Sequence, residues 1–210
     1  MIPFIVFLSG AVVMSFEMLG SKILAPHFGN TIFVWGSLIG IFLSGLTVGY
    51  WGGGRLADRV ADLRCFAALL AIPGLLLCCF PLYCDPVNFW IFDKAFGPRM
   101  EPLLACLILF FPPTIFMGAV SPYAVKLQVK NLDWLGTGVG NLYALSSLGS
   151  IIGTLFTSFY LITWFGVRTI ILIEGIILLT AAAFLCLAHA WGRRTSQRNE
   201  PISPTPVPSE

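Results

Sequence analysis

Charge is scarce in this chain: of 210 residues only 12 are Lys or Arg and 10 are Asp or Glu, against 57% hydrophobic residues. So few charges cannot cover a water-soluble globule of this length, which excludes that class and leaves lipid to cover the rest. The net charge of +2 is too small, and the basic residues too dispersed, for a nucleic-acid binder. Histidine is rarer still, with 2 residues, and the 6 cysteines form no C-x-x-C pair, so no metal is expected. Cys78 and Cys79 are adjacent, and Cys65, Cys106 and Cys186 sit in or beside apolar runs. Only Cys84 is expected to meet an oxidising exterior. The first apolar run also lacks a basic segment before it and contains Glu17, so it reads as a retained span rather than a secretory signal.

What the sequence does have is length in its apolar runs. A bilayer core about 30 Å thick takes about 20 apolar residues at about 1.5 Å each. Six runs meet that requirement, near residues 3–22, 33–53, 65–83, 103–123, 141–164 and 169–191, and the mean hydropathy of +0.88 agrees. The expected fold class is all-α: a polytopic membrane protein with six transmembrane helices over residues 1–192. A disordered, Pro-rich cytoplasmic tail is expected over 193–210.

The basic residues orient the bundle. With the N-terminus cytoplasmic, the inner side receives Arg55, Arg59, Arg64, Lys126, Lys130, Arg193, Arg194 and Arg198, and the outer side Lys22, Lys94, Arg99 and Arg168. Eight against four favours both termini on the cytoplasmic side of the membrane. The tryptophans and tyrosines lie near span ends, Trp35, Tyr83, Trp90, Tyr160 and Trp164 outside and Tyr50, Trp51, Tyr123, Trp134, Tyr143 and Trp191 inside. They read as interfacial anchors. Residues 85–101 carry Phe89, Trp90, Phe92 and Phe96 among charges, which suits either a surface helix or an irregular anchored loop.

Small residues recur every four positions in the second run (Gly45, Gly49, Gly53) and in the fifth (Gly149, Gly153, Thr157). Each set makes a flat ridge that a second backbone can approach closely. Both runs are the middle members of a group of three, and each has a Gly-Asn pair near its start, Gly29-Asn30 and Gly140-Asn141. That spacing suggests a 3+3 inverted repeat, as in transporter halves. Pro73 and the Pro112-Pro113 pair should bend the third and fourth spans.

The inner loop Gly54-Arg55-Leu56-Ala57-Asp58-Arg59 has the G-x-x-x-D-R core found between the second and third spans of major facilitator transporters. Gly54 is expected to let the chain leave its helix under crowding, Asp58 to bridge to a neighbouring helix end, and Arg59 to hold the inner face. A wider resemblance joins this loop to Glu17 through Gly29, Trp35-Gly36-Ser37, Pro113 through Ala119, and Gly140 through Ala144 with Gly149 and Gly153. Over roughly residues 5–175 the chain resembles the membrane region of fused spermidine synthase-like proteins, a major facilitator-related family. In that family a soluble aminopropyltransferase-like domain usually follows the spans, and the present sequence offers only its Pro-rich tail there.

A domain for S-adenosylmethionine needs a strand, a Gly-rich turn and a helix in an α/β unit. Gly136-Thr137-Gly138-Val139-Gly140 imitates the turn but opens an apolar run, so neither a cofactor nor catalysis by this chain alone is expected. The remaining chemistry lies in two carboxylates, Glu17 five residues before Lys22 and Glu174 six after Arg168. Both fall at similar outer depth, where a charge facing lipid is costly. Glu17, Lys22, Arg168 and Glu174 are therefore the candidate polar cavity, either binding a cation, a proton or a polyamine or pairing with one another to lock helices. His27 and His189 stand alone and carry no metal expectation.

Two functions follow as expectations. One is a non-catalytic membrane module that works with a separately encoded partner protein. The other is a small transporter, half of a facilitator, completed by a homodimer and moving a cationic or polar small molecule.

Overall fold

In the computed structural model the described residues are 1–128 and 135–198, with side chains described at all of these except 135 and 191–198. Lys130, Trp134 and the tail 199–210 lie outside the described residues, as do the side chains of Trp191, Arg193, Arg194 and Arg198. The helices are α1 (Ile2–Phe28), α2 (Ile32–Arg59), α3 (Leu63–Asp93), α4 (Met100–Leu109), α5 (Phe111–Gln128), α6 (Leu135–Phe156), α7 (Ile162–Trp164) and α8 (Val167–Arg198). Among the described residues five helical stretches are long and apolar enough to cross a membrane, and six if α4 and α5 are one bent span. Thr157–Leu161 joins α6 to α7 as a π-helical turn, so those three pieces form one stretch.

Local chemistry sets the ends. Gly29 closes α1 at φ +73°, a left-handed conformation that suits a residue without Cβ, while its N–H reaches the Ala25 carbonyl at 2.9 Å. The Asp62 carboxylate accepts from the Arg64 N–H at 3.3 Å and caps α3. The bend between α4 and α5 is 53°. Pro112 and Pro113 have no N–H to give the Ile108 and Leu109 carbonyls one turn back, so the ladder breaks where the sequence expects it.

Two expectations are corrected. Helix α3 is 31 residues long and runs unbroken to Asp93, so Phe89, Trp90 and Phe92 belong to its C-terminal end rather than to a separate surface helix or loop. At about 1.5 Å per residue it exceeds the hydrocarbon thickness, and its aromatic end is the part that would reach the headgroups. Gly54 does not release the chain either. Helix α2 continues through it to Arg59, and a Cβ there would meet nothing within 4 Å, so no crowding demands a glycine.

Three helix pairs pack most closely: α1 with α6, α2 with α5, and α3 with α8. The glycine ridges make two of these seams. A Cβ on Gly49 would lie 2.9 Å from the Gly118 Cα and one on Gly53 2.6 Å from the Ala119 Cα, both on α5. One on Gly153 would lie 2.7 Å from the Ala11 Cα of α1, Gly149 presses on the Phe7 carbonyl, and Gly45 faces Thr114 at 3.0 Å. The ridge of α2 thus seats α5, and that of α6 seats α1. Between the seams, the rings of Phe16, Phe42, Phe80 and Phe110 meet at centroid distances of 5.1–5.7 Å in tilted and edge-on contacts.

Candidate functional site

Glu174 lies on α8 and is 4% exposed, inside the bundle rather than on its lipid face. Ser15 of α1 hydrogen-bonds to its Oε1, and the Ser15 hydroxyl sits 2.5 Å from the Thr157 hydroxyl. Ser15 and Thr157 are buried as well. A hydroxyl has one proton, so with Glu174 ionised Ser15 donates to the carboxylate and Thr157 donates to Ser15. A proton on Oε1 allows the order to reverse, from Glu174 to Ser15 to Thr157. The three groups therefore form a short chain along which hydrogen bonds can switch direction.

The second oxygen of Glu174 has no hydrogen-bond partner and is buried. Such a carboxyl is costly unless a proton or a cation neutralises it. Its neighbour Thr157 opens the π turn, in which the Ile162 N–H reaches back five residues to the Thr157 carbonyl. Single π turns inside long helices recur at functional sites, because the extra residue shifts side chains around the axis.

The expected cavity divides in two. Lys22 and Arg168 do share a cavity, of about 470 Å³, toward the C-terminal ends of α1 and α3 and the N-terminal end of α8, with His27, Asp85, Phe89 and Phe92. Neither Glu17 nor Glu174 lines it. Arg168 is ion-paired with Asp85. Glu17 is half-buried on another face of α1 and has no ion-pair partner among the described residues. Helix α1 carries on past Lys22 to Phe28, so His27 stands on its last turn, with the ring edge-on to Phe89 at 4.8 Å.

At the opposite end of the bundle Lys126 meets the Asp58 carboxylate at 2.8 Å and ties α5 to α2. The Tyr123 hydroxyl donates to the Val60 carbonyl and accepts from the Asp62 N–H at 3.1 Å, holding the α2–α3 turn against α5. Its ring stacks on Phe66 at 5.7 Å. His189 of α8 approaches Asp62 at 3.8 Å. The described residues hold no group of three or more His, Cys, Asp and Glu that could take a metal ion.

Sequence reasoning missed Ser15, Thr157 and Asp85. Ser15 lies seven residues before Lys22, on the same helical stripe, and in the sequence Thr157 stands out only as the small end of a ridge. No family model, no curated protein and no solved structure matches the chain.

Proposed function

We propose that this chain is a small membrane carrier, facilitator-like in architecture, in which Glu174 binds and releases a proton or cation as a cationic or polar solute crosses. One observation carries the reading: a carboxyl buried among helices, with one oxygen on a switchable Ser15–Thr157 chain and the other unpaired. An intramembrane ionisable group without a structural counter-ion is a functional site by default. The reading takes both termini as cytoplasmic from the basic asymmetry of the loops, and a bacterial inner membrane from the resemblance to spermidine synthase-like proteins.

The helix pairing supports the facilitator-like half. With α4–α5 as the fourth span and α6–α7 as the fifth, the closest pairs are first with fifth, second with fourth and third with sixth. Advancing every span by three exchanges the first two pairs and returns the third to itself, as two related halves require. The glycine seams obey the same exchange, with the second span on the fourth and the fifth on the first. The resemblance to spermidine synthase-like proteins makes a polyamine the first solute to try.

The test is transport in proteoliposomes with an internal pH dye and an imposed spermidine gradient. Wild type should move solute with a linked pH change, and Glu174→Gln should lose both while remaining folded. Equal transport by Glu174→Gln would overturn the role of the carboxyl.

A second reading, a non-catalytic module for a separately encoded partner or a second copy, is favoured by the exposure of the fifth span. Only 17% of its apolar window is buried, against 39–50% in the other four single-helix spans. Purification in mild detergent and identification of whatever protein accompanies the chain tests that reading.

A further inference from the structure

The outer cavity has the wrong charge for a polyamine. Lys22 and Arg168 bring two cations to it and Asp85 one carboxylate, which is already occupied by Arg168. No carboxylate among the described residues lies within ion-pair distance of Lys22. The His27 Nδ1 is buried without a hydrogen-bond partner, and contact with Phe89 fixes its ring. What remains unused is therefore a cation and an imidazole nitrogen that can donate when it carries the proton. The rest of the wall is apolar: Phe80, Phe89, Phe92, Ile23, Val167 and Ile171.

We propose that this cavity binds an anionic amphiphile, with a phosphate or carboxylate head on Lys22 and His27 and an apolar tail along Phe89 and Phe92. A free inorganic anion would leave the aromatic wall unused, and an organic cation would face two positive side chains and a neutralised carboxylate. The position suits this ligand as well. The cavity lies at the ends of three spans, where aromatic and basic residues meet lipid headgroups. Asp85 limits the affinity by holding the Arg168 guanidinium away from the head.

The same head chemistry is found in a membrane phospholipid and in a free organic acid, and the arms of the test separate them. The full chain in neutral detergent is unfolded thermally with phosphatidylglycerol, phosphatidylcholine, decanoate or inorganic phosphate at matched concentrations. Phosphatidylglycerol should raise the midpoint by several degrees more than phosphatidylcholine. A rise with decanoate alone would assign the site to a free acid and keep the proposal. Lys22→Gln, at an exposed position that leaves packing intact, should remove most of the shift. Asp85→Asn should enlarge it by freeing Arg168, even if its own midpoint is lower. Equal shifts with the two phospholipids and none with decanoate would overturn the proposal, as would a wild-type response in Lys22→Gln. A shift with inorganic phosphate as large as with either amphiphile would overturn the apolar-tail half.

Discussion

Arg168 of α8 is ion-paired with Asp85 of α3, not with Glu174 six residues further along its own helix. The pair joins the C-terminal part of α3 to the start of α8 and withdraws from Glu174 the cation nearest to it in sequence. Glu174 is left with the hydroxyl chain of Ser15 and Thr157. Arg168 and Asp85 both line the cavity that Glu174 does not reach.

Ser15→Ala should lower stability by about 1–3 kcal/mol, because it strips the only hydrogen-bonded oxygen of a buried carboxyl. Adding Glu174→Leu to it should recover most of that loss, since a buried polar group is costly mainly when its partner is gone. Thermal unfolding in detergent of the two single variants and the double variant checks the pair. A neutral Ser15→Ala would mean that Glu174 is satisfied by other means.

The six apolar runs, the proline bend and the glycine ridges are all readable along the chain, because each depends on residues near one another in sequence. The break at Phe110 needs only Pro112 and Pro113. The site was not readable in the same way. Ser15 and Glu17 are two positions apart, about 200° around a helix, so only one of them can face α8. The sequence favours Glu17 by charge, while packing of α1 against α6 through Gly149 and Gly153 turns Ser15 inward. Asp85 escaped notice because the third run reads as ending near Tyr83, whereas α3 goes on for ten more residues, to Asp93.

Replacing Gly49 or Gly153 by Leu should destabilise the bundle by about 1–3 kcal/mol or more, because each side chain would have to enter a neighbouring backbone. Gly40 lies on α2 too, but a Cβ there meets nothing within 4 Å, so Gly40→Leu is the control and should be near neutral. Detergent unfolding midpoints of the three variants decide the matter. Equal midpoints would show that the two seams tolerate separation.

Topology is open to cysteine labelling at two exposed positions. Asn88 would be a natural outer position by its place in the sequence, but it is wholly buried on α3. Lys94, just beyond that helix, is exposed, as is Ala61 in the α2–α3 turn. In intact cells an impermeant maleimide should modify Lys94→Cys and spare Ala61→Cys until the membrane is opened. The reverse result would invert the bundle.

The α2–α3 turn and α5 share two contacts of unequal worth, and the difference can be measured. The Asp58 and Lys126 side chains are 72% and 50% exposed, so water screens their ion pair and Lys126→Ala should cost about 0–1 kcal/mol. Tyr123 is fully buried, with its hydroxyl shared between the Val60 carbonyl and the Asp62 N–H. Tyr123→Phe keeps the stack on Phe66 and removes both bonds, at a cost of about 1–3 kcal/mol. The α2–α3 turn should loosen with it, which faster proteolysis at the turn in inside-out vesicles would report. If Lys126→Ala proves the more damaging, Asp58 and not Tyr123 holds this turn, and the G-x-x-x-D-R loop acts through its charge.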